Sequence, residues 1–292
     1  MHPATHSTRL LFRAGLTLLM LAAASGALLS CAARQDVQLP ALNAADSGVH
    51  KPGKFIWFEL ITHDLEKISA FYGELLGWTF TPYPENPEYF IIEKDGREIA
   101  GVVSVRDKSM GSRWLSSLSV ADVDDAANRV RKLGGSVLYG PVDFDDRGRF
   151  AQVGDSQGAD FIILKARHGD PQRSDPAPDT IVWAELFTKS VEDSARFYRG
   201  LISYEVKPSD ESDDHYYFAV GDKIRGGVTE IDYEDVKPTW LPFVGVKNLR
   251  EVVLEAIDSG GTLLIHTDTA AIILDPGGAA IGLQLLPSGG VQ

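Results

Sequence analysis

Trp57-Phe58-Glu59-Leu60 returns 126 residues later as Trp183-Ala184-Glu185-Leu186. The same offset carries Phe71-Tyr72 to Phe197-Tyr198, Gly101-Val102 to Gly227-Val228, Trp114-Leu115 to Trp240-Leu241, and Gly134-Gly135 to Gly260-Gly261. A constant spacing over about eighty residues means one domain duplicated in tandem. After the second Gly-Gly the register slips. Asp155-Ser156-Gln157-Gly158-Ala159 matches Asp275-Pro276-Gly277-Gly278-Ala279, six residues short of the offset. The second copy has therefore lost a loop, not an element.

Each copy divides again. Residues 54–61 alternate like a half-buried strand, with Ile56, Phe58 and Leu60 on one face and Trp57 and Glu59 on the other. Asp64 then caps a helix whose apolar stripe is Ile68, Phe71, Tyr72, Leu75 and Leu76, ended by Gly77. Three short strands follow, near 78–81, 89–93 and 99–105. The pattern then restarts: a strand over 114–120, a helix capped by Asp122 and ended by Gly134-Gly135, and strands near 136–139, 149–153 and 161–165. The second copy repeats this with Ser190 and Asn248 as caps. The expected fold class is α+β, with four βαβββ modules paired into two domains. The domains are expected over 53–167 and 179–288, joined by a proline-bearing linker over 168–178.

The N-terminus reads as an address. Arg9 and Arg13 precede an apolar run over 14–29 that is short for a membrane span and has the layout of a secretory signal. The run ends Leu28-Leu29-Ser30-Cys31, and Cys31 is the chain's only cysteine. This resembles the bacterial lipoprotein motif, which implies removal of 1–30 and acylation at Cys31. Ala32 rather than Asp after it implies the periplasmic face of the outer membrane. Residues 31–52 show no periodicity and carry Pro40 and Pro52, as in a flexible tether. The chain has 41 acidic against 28 basic residues, a net charge of −13. Such a field repels nucleic acid and anionic lipid, so the membrane is expected as a partner only through the lipid.

A strand, then Asp64 ahead of Phe71-Tyr72, a Leu-Gly-Trp helix end, a Gly-Gly helix end and an Asp-x-x-Gly-Ala turn before the last strand resemble the vicinal oxygen chelate superfamily. That group includes glyoxalases, extradiol dioxygenases and bleomycin-resistance proteins. The resemblance covers residues 53–167 and 179–287 and implies two glyoxalase-like domains, each curling a mixed sheet around an open cleft. Superfamily enzymes hold a divalent metal in the cleft with His, Gln or Glu. The corresponding positions carry Trp57, Leu115 and Ile162 in the first copy and Trp183, Leu241 and Gly282 in the second. None of these side chains offers a lone pair suited to a Lewis-acid site. Glu98 and Glu230 lie near the remaining position and stay open as displaced ligands. No metal and no other cofactor is expected. The seven histidines show no paired spacing, and His63, His215 and His266 read as loop or strand-end residues.

The cleft face is expected to carry Trp57 with Glu59 and Trp183 with Glu185. Two roles fit these pairs. In one, indole stacks on a planar or aromatic ligand and the carboxylate holds its polar edge. In the other, the tryptophan fills the sheet and the carboxylate ties down an amide or an arginine. Arg149, which has no counterpart in the second copy, is the expected partner of Glu59, and Trp114 and Trp240 fit either the cleft rim or the core. Three readings of function follow. One is metal-independent binding of a small molecule. The second is a superfamily lyase, isomerase or dioxygenase working through Glu59 or Glu185. The third is an envelope interaction or structural protein whose clefts are vestigial. Oligomeric state leaves no trace in the sequence.

Overall fold

The computed structural model describes residues 38–43, 46–172, 176–209, 215–232 and 236–287. The signal segment and Cys31 lie outside the described residues. The first half runs β1 (Phe55–Thr62), α1 (Leu65–Leu76), β2 (Thr79–Tyr83), β3 (Asn86–Lys94), β4 (Arg97–Ser104), β5 (Arg113–Ser119), α2 (Val123–Lys132), β6 (Ser136–Phe144), β7 (Gly148–Gly154) and β8 (Asp160–Ala166). The second half repeats it as β9 (Ile181–Thr188), α3 (Val191–Ile202), β10 (Glu205–Pro208), β11 (His215–Val220), β12 (Lys223–Glu230), β13 (Thr239–Val246), α4 (Leu249–Asp258), β14 (Thr262–His266), β15 (Ala270–Leu274) and β16 (Ala280–Leu285). These are four βαβββ modules in two mixed, eight-stranded sheets.

The strand order β2-β3-β4-β1-β5-β8-β7-β6 recurs as β10-β11-β12-β9-β13-β16-β15-β14. Within a module the first and last strands are parallel. The antiparallel pair β1–β5 then joins the two modules at the centre of the sheet. Asp64, Asp122, Ser190 and Asn248 each accept a hydrogen bond from the backbone N–H three residues on, which starts each helix. A bulge at Ile56 departs from simple alternation. Phe55, Phe58 and Leu60 face the helices, while Ile56 joins Trp57 on the concave side. The register of β9 shifts in the same way between Ile181 and Trp183.

The helices lie between the two sheets, α1 against α4 and α2 against α3, so that both domains share one hydrophobic core. Each Phe-Tyr pair of the repeat reaches into the other domain. Tyr72 donates to Asp275 at 3.2 Å, and Tyr198 donates to Asp155 at 3.1 Å. Phe197 and Phe71 pack over Gly135 and Gly261, where an added Cβ would meet the ring. The second glycine of each Gly-Gly thus makes room for the partner domain's phenylalanine. Phe55 tilts against Trp240 with ring centroids 4.4 Å apart, and Trp78 donates to the Asp179 carbonyl at 2.7 Å.

Burial pushes the Asp275 carboxyl up from 3.8 to about 6, against hydrogen bonds from Ala279, Gly277 and Tyr72 that favour its charged form. The folded state therefore holds this proton more tightly than the unfolded chain. Its contribution to stability is complete below the unfolded value and is lost as pH rises through about 6. Burial raises Asp155 in the same direction. An Asp275→Asn variant should gain in melting temperature relative to the parent between pH 4 and 7, as read by circular dichroism. A constant difference across that range would show that Asp275 is charged at every pH tested.

Candidate functional site

With their helical faces turned together, the two sheets present their concave faces outward. Glu59 stands at the centre of the first. It pairs across the sheet with Gly101, and a Cβ there would collide with both the Glu59 carboxylate and the Tyr89 hydroxyl. Glycine is therefore required for the carboxylate to lie flat on its neighbour strand. Tyr89 on β3 donates to Glu59, with its hydroxyl 3.1 Å from both carboxylate oxygens. Arg147 completes the group. Its Nη1 lies 2.9 Å from Glu59 Oε1, its Nη2 donates to Tyr89 at 2.7 Å, and its Nε donates to the Pro40 carbonyl at 2.9 Å. The guanidinium sits 5.5 Å from the ring centres of both Trp57 and Tyr89. All of these groups are buried. Burial pushes the Glu59 carboxyl up from its ordinary value, and Arg147 pulls in the opposite direction. The attraction of Tyr89 and Glu59 outweighs burial at Arg147 and raises its pKa.

Beside this group lies a cavity of about 110 Å³, walled by Leu39, Ile61, Leu115, Phe150 and Ile162, with Glu59, Arg147 and Ser117 as its polar lining. Leu115 and Ile162, at two of the superfamily's metal-ligand positions, face this space, and the third position is held by the indole of Trp57. The donor set does not fit a divalent metal. Glu98 is exposed near the β3–β4 turn, and Glu230 accepts the backbone N–H of Val191 at 2.8 Å, so both have other places. Among the described residues, no group of three or more His, Cys, Asp or Glu side chains could hold a metal ion.

Several sequence expectations need correction. Arg149 does not reach Glu59. Alternation along β7 turns Phe150 to the cavity and Arg149 to α2, where it pairs with Asp124 at 2.6 Å and also with Asp143. Arg147 belongs to the turn before β7, and Gly148, at φ 105°, lets the chain re-aim it inward. Trp57 offers no free stacking face, because Leu42, Leu164 and Ala166 cover it to 2% exposure. Trp114 and Trp240 lie on the helical side, donating to Tyr72 and Tyr198 at 3.4 and 2.6 Å, so they belong to the core and not to a cleft rim. Residues 38–43 do not hang free as a tether. They cross the concave face, with Pro40, Leu42 and Asn43 buried.

The second cleft keeps the template and changes the partners. Glu185 lies over Gly227 as Glu59 lies over Gly101. Trp183 donates to it at 2.8 Å and Thr229 at 2.7 Å, and His215 Nε2 stands 3.3 Å away. His215 occupies the position of Tyr89, one repeat offset later, and is a mostly buried cleft residue, not a loop histidine. The offset itself carried that signal. No arginine stands in the turn over 267–269, where Thr-Asp-Thr replaces the Arg147 segment. Trp183 and Phe187 remain partly exposed, and the Phe243 ring covers Gly282 at the third ligand position.

A buried ion pair that loses one member leaves a charge without compensation. Arg147→Met should therefore destabilise the protein by about 3–5 kcal/mol in urea unfolding. Adding Glu59→Gln should recover most of that loss, because no net charge then remains buried. Arg149→Met should leave stability almost unchanged. A larger loss from Arg149 than from Arg147 would contradict this arrangement.

Residues 54–93 match the family model described as bleomycin resistance protein-like, N-terminal. The chain is 30% identical over 119 residues to the putative glyoxylase CFP32 of Mycobacterium tuberculosis, an alignment covering 40% of this chain and 46% of that protein. It is 33% identical over 133 residues to the anthracycline biosynthesis protein DauV of a Streptomyces species, covering 43% and 46%. The chain thus spans less than half the length of these relatives. Among solved structures, the Mn(II)-bound glyoxalase of Novosphingobium aromaticivorans superposes with a TM-score of 0.56 at 13% identity, covering 81% of this chain and 83% of that one. Homoprotocatechuate 2,3-dioxygenase of B. fuscum superposes at 0.54 with 14% identity, covering 84% and 72%. With its repeated βαβββ modules in a tandem two-domain form, the chain shares the fold of these glyoxalase and dioxygenase structures and resembles the bleomycin-resistance-like family over residues 54–93.

Proposed function

We propose that this is a lipid-anchored envelope protein of the bleomycin-resistance type that binds a small molecule in its first cleft without a metal. One observation carries the reading. The cavity has mostly apolar walls, Leu115 and Ile162 stand where metal donors would be, and its polar lining is Ser117 with the charge-compensated Glu59–Arg147 pair. Pockets of this type draw affinity from apolar area and orientation from a few fixed polar groups. The apolar body of the ligand would pack on Phe150, Leu115 and Ile162, and its polar edge would meet Arg147.

A second reading, an enzyme of the same superfamily, is favoured by the second cleft. There His215 stands beside a buried carboxylate, an arrangement suited to moving a proton. The pair is available to a lyase or isomerase step on a ligand lying against Trp183.

Purified residues 32–292 should contain no stoichiometric zinc, nickel, iron or manganese, and hits from a ligand screen should change tryptophan fluorescence. Phe150→Ala should weaken their binding by about 1–3 kcal/mol, the scale of one buried aromatic contact, while Trp183→Ala should not. Hits that ignore Phe150, Glu59 and Arg147 but respond to Trp183 and His215 would move the working site to the second cleft. Tightly held metal, one per domain, would replace the binding reading with the enzyme one. For the anchor, Cys31→Ala should abolish lipid labelling and leave the precursor uncleaved. Normal maturation of that variant to a soluble form would remove the lipoprotein assignment.

A further inference from the structure

Residues 38–43 lie where a ligand of the first cleft would lie. Leu42 is 6% exposed and packs with Ile56, Trp57, Leu164 and Ala166, while Leu39 forms one wall of the cavity. Among the described residues this stretch forms no ladder with any strand. At its end Asn43 is fixed, its Nδ2 donating to Ser47 and to the His168 and Asp170 carbonyls and its own carbonyl accepting from Asp46 N–H. What holds the backbone before it are side chains of the cleft and its rim, reaching carbonyl oxygens. Arg147 Nε donates to Pro40 at 2.9 Å, and Asn86 Nδ2 donates to Gln38 at 3.0 Å. The chain just beyond is fastened more firmly. Gly48 donates to the His168 carbonyl, Asp170 donates to the Val49 carbonyl, and the buried Asp170 carboxylate accepts from Lys51 N–H and from Ser119. The second cleft is an internal control: among the described residues no strap crosses it, and Trp183 is left partly exposed where Trp57 is sealed.

Resting on the cleft reading above, we infer that residues 38–43 are a hinged intramolecular occupant of the first cleft, and that the ligand is a neutral, carbonyl-bearing apolar molecule that displaces them. Charge sets the ligand class. Arg147 spends one N–H of each Nη on Glu59 and Tyr89, and the Glu59–Arg147 pair carries no net charge. Its Nε, which holds the Pro40 carbonyl, suits a neutral acceptor, because an anion would place a second negative charge beside buried Glu59. Cavity size sets the motion. A cavity of about 110 Å³ is smaller than the roughly 150 Å³ that takes a benzene. A larger ligand seated fully in the cleft would displace Leu39, and the adjoining Leu42 with it, and residues 47–51 supply the fixed end about which the strap would swing.

The test uses the neutral carbonyl dye Nile red with residues 32–292, a Leu39→Ser/Leu42→Ser variant, and a chain starting at residue 44. Circular dichroism first establishes that each is folded. A closed strap reduces apparent affinity by the open fraction, so both strap variants should bind at least about tenfold more tightly than the parent. The capped peptide Gln-Leu-Pro-Ala-Leu-Asn, residues 38–43, should displace the dye from them. Equal affinity for parent and strap variants, lost on Phe150→Ala, would overturn the strap inference and leave the cleft reading standing. Absence of binding to all three would overturn the cleft reading, and the inference with it. Tighter binding of the anionic dye 1-anilinonaphthalene-8-sulfonate than of Nile red would overturn the neutral-ligand assignment.

Discussion

Each sheet here carries two helices on one face, and two helices cannot cover eight strands. The uncovered apolar surface must be buried, and the second copy of the domain buries it. That single requirement orders the molecule. It explains why the repeated Phe-Tyr pair of one domain meets the repeated Gly-Gly and Asp-x-x-Gly-Ala of the other. Tyr72 reaches Asp275, Tyr198 reaches Asp155, and Phe71 and Phe197 rest on Gly261 and Gly135. A lone copy would leave these tyrosines, aspartates and apolar rings facing water. It also forces both concave faces outward, so the chain has two clefts on opposite sides of one core.

The two clefts show how far a duplicated frame can diverge without disturbing that core. Both lay a carboxylate across a glycine of the neighbouring strand and place a tryptophan two residues before it. A buried carboxylate must be compensated, and the copies solve this differently. The first uses Tyr89 and Arg147, a hydrogen bond and an ion pair, under a strap. The second uses Trp183, Thr229 and His215, with more of the cleft in contact with solvent. The first solution gives a charge-compensated pocket and the second a carboxylate–imidazole pair beside a partly exposed tryptophan. The difference is one of substitution on a common backbone. It needs no change in the helices or in the strand order.

The superfamily's metal positions mark the other departure. A Lewis-acid site needs several lone pairs converging on one point, and here leucine, isoleucine and tryptophan occupy those points in the first domain. The space left between them is lined by apolar side chains and capped by a neutral ion pair. That environment favours desolvated, uncharged ligands over hydrated anions, and it gives the strap's leucines a natural place to rest.

The repeat, the module pattern and the helix caps were legible in the residues, because strand and helix periodicity and capping are local properties of the chain. So was the placement of Glu59 and Glu185 on the concave face, which follows from alternation around two tryptophans. Which residues stand at the superfamily's metal positions was legible as well, since that depends on spacing alone. The identity of the Glu59 partner was not. Arg147 and Arg149 are two residues apart, and only the positive φ of Gly148 sends one inward and leaves the other on α2. The bulge at Ile56, the role of His215, the retreat of Trp114 and Trp240 into the shared core, and the seating of residues 38–43 in the cleft all depend on contacts between segments far apart in sequence. Such contacts are decided by which surfaces meet once the two domains close on each other, and local sequence carries no record of that geometry.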